Sequence, residues 1–159
     1  MKITVISAGK IKEKYLREGI AEFCKRLRPF TQLEIIEIME EKMPDSPSPA
    51  AKEKILIAEG KRLMRRIPAN DFLFVLDVYG RQLSSEDFAA KISTLGLNGR
   101  SKFTFIIGGP FGLSEELREK ADMRISFSSM TFTHQMVKLL LVEQVYRAFK
   151  INNGEKYHW

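Results

Sequence analysis

The chain has 159 residues, 44% of them hydrophobic and 29% charged, a size and balance that fit one domain with a substantial core. A single cysteine, Cys24, excludes an internal disulfide, and with only two histidines no metal-ligand cluster is expected. The net charge of +6 is concentrated before Ile67, in "KIKEKYLR", "KRLR" and "KRLMRR". Those runs read either as solvated helix faces or as a surface for a polyanion such as nucleic acid.

In chain order, "MKITVISAGK" alternates and stops at Gly9, so it reads as a first strand and not as a secretory leader. A helix follows over about residues 12–27, with Cys24 packed inside the amphipathic "AEFCKRL". "LEIIEIM" alternates as a more exposed strand does. The next stretch, "EEKMPDSPSPAA", carries three prolines that lack N–H donors, so it reads as a loop, either a flexible lid or a connector. Helices are expected over about 50–66, 84–96, 114–121 and 133–151, separated by the strands "DFLFVLDV", "KFTFIIG" and "RISFS". "FLFVL" and "FTFII" are apolar throughout, as central parallel strands covered on both faces tend to be. The alternation predicts an α/β sandwich with a mostly parallel five-stranded sheet, in a single domain over 1–159. No apolar run approaches the ~20 residues of a membrane span.

The last helix is apolar nearly all round. Met136, Val137, Leu139, Leu140, Leu141 and Val142 leave almost no polar face in its first two turns. Such a helix is buried on more than one side, which points to a homodimer through this helix or to a central helix within one chain.

Three strand ends carry turn-forming or polar residues. "GGPFG" follows the fourth strand and precedes "SEEL", where Ser114 is placed to cap a helix. The loop lacks the Lys-Ser/Thr ending of a P-loop and is not G-x-G-x-x-G. It reads as a ligand loop with bare amides or as a structural turn. "VLDVYGRQLSSEDF" ends its strand at Leu76–Asp77 and turns at Gly80, and "SFSSMTFTHQM" ends the fifth strand in hydroxyls. Ligands of open α/β sheets bind at the carboxyl ends of strands, so these loops are expected to converge. For Ser128, Ser129 and Thr131 the competing reading is capping, for Met130 and Phe132 core packing, and for His134 a backbone partner. No nucleophile elbow or triad is visible, which leaves chemistry to a reactive cofactor and positioning.

Taken together and in order, "VLDVYG", "FIIGGPFGL", "SFSSMTFTHQM" and "LLLVEQVYRAFKINNGEKYH" resemble the RlmH family over nearly the whole chain. These SPOUT-type methyltransferases act on N3 of a pseudouridine in bacterial 23S ribosomal RNA. The resemblance implies an S-adenosylmethionine site in a C-terminal trefoil knot, a feature that general topology rules would not suggest. Carried over, the cofactor-binding positions are Leu76, Gly108, Phe127, Ser128, Ser129, Met130, Thr131 and Phe132, acting largely through backbone groups. The glycines are then expected to let the cofactor lie against the chain. The resemblance also implies a cytoplasmic homodimer packed through its last helices, working on the assembled ribosome. In it Tyr157 and His158 of the tail, with Arg147, meet the target base of the partner's site.

Three positions depart from the family pattern. Thr133 stands where proline is usual, Lys138 where arginine is usual, and Trp159 where a basic residue is usual. The alternatives to an rRNA methyltransferase are a non-catalytic RNA- or ribosome-binding α/β module and a small-ligand hydrolase. The missing phosphate-loop lysine and the absence of a carboxylate cluster speak against the hydrolase.

Overall fold

A computed structural model describes residues 1–157 of the protein. Strand β1 (Lys2–Ala8) is followed by helix α1 (Lys14–Leu27), β2 (Gln32–Ile38) and α2 (Pro49–Met64). Next come β3 (Phe72–Gln82), α3 (Ser85–Leu97), β4 (Lys102–Ile107), α4 (Glu115–Lys120), β5 (Met123–Ser126) and α5 (His134–Asn152). The five strands form one sheet in the order β2-β1-β4-β3-β5, and every pairing is parallel. Strands β1 and β4 are buried along almost their whole length, whereas edge strand β2 alternates between exposed and half-buried residues. Continuous apolar runs mark the strands with covered faces, and alternation marks the edge.

Each sheet face has its own core. On one, Ile3, Val5, Phe74, Phe103 and Phe105 pack under α1, α3 and α5, with the Phe74 and Phe105 rings stacked at 4.7 Å. On the other, Ile6, Val75 and Ile106 meet Leu63 of α2 and Leu117 of α4. Helix α5 lies between α1 and α3 and buries Leu141, Val142, Val145 and Ala148, so much of its apolar girth is used within one chain. Its first turns are less uniform than the sequence suggests. Lys138 is only 1% exposed, and its Nζ stands 2.6 Å from Glu37 Oε1 on β2.

Two boundaries differ from expectation. Helix α2 begins at the third proline, with Pro49 in its first turn and the Ser48 hydroxyl accepting the Ala51 N–H at 3.1 Å. Proline suits that position because its missing donor would be unsatisfied there anyway. Strand β3 does not end at Asp77 but resumes after a bulge. Leu76 and Arg81 both pair with Ile125, so residues 77–80 arch over β5. Gly80 is the contact point: a β-carbon there would stand 2.7 Å from backbone atoms of Ile125. What reads as turn punctuation is a close passage between two stretches of backbone.

Candidate cofactor site

A cavity of about 680 Å³ opens at the carboxyl ends of β3, β4 and β5. The loops after these strands line it, with the start of α5 completing the wall. Of the eight cofactor positions expected from sequence, Leu76, Gly108, Phe127, Ser128, Met130, Thr131 and Phe132 line the cavity, and Ser129 does not. Met130 and Phe132 are exposed, at 73% and 41%, so neither fills core. Ser128 takes part in its own turn, its hydroxyl accepting the Met130 N–H at 2.9 Å and its carbonyl accepting the Ser126 hydroxyl at 2.9 Å. Thr133 caps α5 by accepting the Met136 N–H at 3.3 Å, a bond that a proline could not supply.

The glycine loop is shaped by its own packing. A β-carbon at Gly108 would overlap the Gly112 carbonyl, and one at Gly109 would stand 2.6 Å from Glu59 Oε2. Gly112 has φ +87°, and its N–H donates to the Gly109 carbonyl at 2.9 Å. Side chains at Gly108 and Gly109 would collide with protein, a local reason for glycine at these cavity-lining positions. Ser114 stands at the start of α4 but makes no capping bond, and its buried hydroxyl has no partner.

Asp77 was not singled out by sequence reading as part of the site. Its side chain is 3% exposed, and Oδ2 accepts from Arg124 Nη2 at 2.8 Å and Nε at 3.1 Å. Arg118 Nε approaches the same oxygen at 3.1 Å as an ion pair without hydrogen-bond alignment, and Oδ1 accepts the Tyr79 N–H. One carboxylate thus ties the β3 arch to α4 and β5. The available signal was an acid at the carboxyl end of a buried strand.

His134 does not turn to the backbone. Its Nε2 lies 3.0 Å from Glu40 Oε1 on the loop after β2. Burial lowers its pKa against the pull of Glu40, with Lys138 and Lys12 adding to the lowering, so the ring is neutral near pH 7.

The tail residues gather elsewhere. Tyr157 Oη donates to Glu143 Oε1 at 3.0 Å, Arg147 Nη2 pairs with that oxygen at 2.6 Å, and the guanidinium sits 4.7 Å from the Tyr157 ring centroid. Burial, followed by the Glu143 contact, raises the Tyr157 pKa, so its phenol stays protonated. Neither Arg147 nor Tyr157 lines the cavity of its own chain, and His158 lies outside the described residues. Among the described residues, no group of three or more His, Cys, Asp or Glu side chains could hold a metal ion, and no helix is long and apolar enough to cross a membrane.

A family model described as "Predicted SPOUT methyltransferase" matches residues 1–158. The chain belongs to the SPOUT methyltransferase family. Within this family it falls in the RlmH group. It is 52% identical over 158 residues to the ribosomal RNA large subunit methyltransferase H of Carboxydothermus hydrogenoformans, covering 99% of both chains. The proteins of that name from Halothermothrix orenii and Streptococcus suis are 50% and 49% identical, again with 99% of both chains covered. A solved structure, a probable methylase family protein from Haemophilus influenzae, superposes with a TM-score of 0.52 at 13% identity, covering 99% of this chain and 70% of that one. That likeness speaks to the fold alone, and the parallel five-stranded sheet agrees with a SPOUT methylase.

Proposed function

We propose that the protein is an S-adenosylmethionine-dependent rRNA methyltransferase that modifies N3 of a pseudouridine in the large-subunit RNA of the assembled ribosome. The observation that carries this reading is the cavity at the carboxyl ends of β3, β4 and β5, in a chain about half identical to proteins named for that RNA. Its volume lies within the ~300–1,000 Å³ typical of small-molecule sites. Its lining also fits the cofactor, with the glycine loop and Ser126 and Ser128 for a polar edge and Leu76, Ile107 and Val137 for a flat apolar ring. When bound, S-adenosylmethionine supplies an electrophilic methyl group on a sulfonium.

The chain's own part is to hold the base and remove one proton. N3 of the uracil ring loses its proton first and then takes the methyl. The bond from that methyl to the sulfonium sulfur breaks as the N–CH₃ bond forms, and a neutral thioether leaves. The proton passes to His158 or to solvent. Arg147, paired with Glu143, and the protonated phenol of Tyr157 are the donors for charge that develops on the ring oxygens. Because neither reaches the cavity of its own chain, we assign them to the cavity of a second copy, with the homodimer packed through α5. The C-terminal trefoil knot of the family, one SPOUT-like domain spanning 1–159 and a cytoplasmic location belong to the same proposal.

Calorimetric titration with S-adenosylmethionine tests the reading. Thr131→Trp, at an exposed wall position, blocks the cavity without entering the core, whereas a large residue at Gly108 would break the loop itself. Saturable binding that Thr131→Trp abolishes, with methyl transfer to unmethylated ribosomes, is expected. A folded dimer that never binds the cofactor, even with ribosomes present, would leave the RNA-binding module as the better account.

A further inference from the structure

Helix α2 grips the glycine loop from behind through two consecutive residues. Glu59 is only 3% exposed. Its Oε1 accepts the Glu41 N–H at 3.1 Å, while Oε2 is buried without a hydrogen-bond partner and faces Gly109, whose absent β-carbon would stand 2.6 Å away. Beside it, Gly60 lies so close to Ser114 that a β-carbon would overlap the hydroxyl. Gly109 lies near the start of the loop and Ser114 closes it. Neither Glu59 nor Gly60 lines the main cavity, so this grip is no part of the ligand's own contacts.

We propose that Glu59 is a positioning residue for the cofactor cavity, its carboxyl fixing from behind the turn through Gly108 and Gly109 whose front lines that cavity. The proposal rests on reading the cavity as the S-adenosylmethionine site. A carboxylate anion is poorly compensated in this place. Arg62, the cation acting on Glu59, is engaged with Glu41 and with the Met39 carbonyl, and Glu40 and Glu41 add like charge. Lys42 lines the smaller cavity beside Glu59, and His134 faces Glu40 from α5. Burial is the first cause that raises the Glu59 pKa, reinforced by Glu40 and Glu41 and opposed by the Glu41 N–H and Arg62. Protonation removes the uncompensated charge from the buried oxygen that faces Gly109.

Because the ordered loop favours the protonated acid, its support is complete at low pH and is lost as pH rises through the raised pKa. The test compares wild type, Glu59→Gln and Glu59→Ala by hydrogen exchange of ligand-free protein and by titration with S-adenosylmethionine across pH. Glu59→Gln, the neutral isostere, keeps loop protection and affinity and loses the pH dependence. Glu59→Ala speeds exchange of the amides over 108–113 by about tenfold, with β1 and β4 unchanged, and weakens cofactor binding by about tenfold. An alanine variant with wild-type exchange and affinity overturns the proposal. So does a glutamine variant whose loop loosens, an outcome that stands even where the alanine variant fails to fold. If wild type binds no cofactor, the functional reading fails, and ligand-free exchange still decides whether Glu59 fixes the loop.

Discussion

The strand-end cavity and the C-terminal tail differ in how their polar groups are held. Around the cavity, partners come from distant parts of the chain: Asp77 meets Arg118 and Arg124, His134 meets Glu40, and Glu59 backs Gly109. In the tail, Glu143, Arg147 and Tyr157 satisfy one another locally, away from the cavity of their own chain. The first region is fixed by the fold, and the second is a small preassembled device on the later half of α5 and the segment after it. Stability and chemistry are therefore expected to separate between them.

The largest effect is expected from Asp77→Ala, which leaves two arginines facing a lost carboxylate. With one arginine fairly exposed, the loss is about 2–3 kcal/mol in urea unfolding, and an unchanged midpoint would remove Asp77 from the frame of the site. Gly80→Ala comes next, at about 2 kcal/mol, because the added β-carbon meets backbone and not a movable side chain. Tyr157→Phe sharpens the contrast from the other side. On the proposed function it lowers turnover on rRNA by roughly tenfold while cofactor affinity and unfolding midpoint stay within error. A fall in affinity equal to the fall in turnover would instead place the phenol in the cofactor site.

The smallest effect concerns pH. Since burial depresses the His134 pKa below its unfolded value, the unfolded chain binds more protons as pH falls through the ordinary histidine range. Stability present above that range is lost as the pH falls through it toward the folded value. Urea midpoints at pH 7.5 and 5.5 check this, since His134→Gln loses part of the difference seen in wild type.

The fold was largely legible because burial writes itself into composition. "FTFII" is covered on both faces and reads as unbroken apolar residues, while "LEIIEIM" alternates because β2 is an edge. The ends of elements were less legible, since they depend on contacts far apart in sequence. Gly80 reads as a turn until β5 is laid against it, and nothing in the sequence beside Lys138 points to Glu37, its partner on β2. The glycine loop is legible from its place at a strand end, whereas its contacts with Glu59 and with its own Gly112 carbonyl are not. Asp77 is not legible as part of the site, because one acid at a strand end is ordinary until two arginines converge on it.

The arch of β3 over Ile125 also has a mechanical meaning. A four-residue strand at the border of a sheet is normally the first to peel away and the readiest template for a stray chain. Here the neighbouring strand reaches past its partner and pairs with it again, so β5 is clasped and not merely appended. Pulling β5 away from the sheet therefore has to break its pairing with β3 on both sides of the bulge, which anchors the strand that leads into the cavity wall.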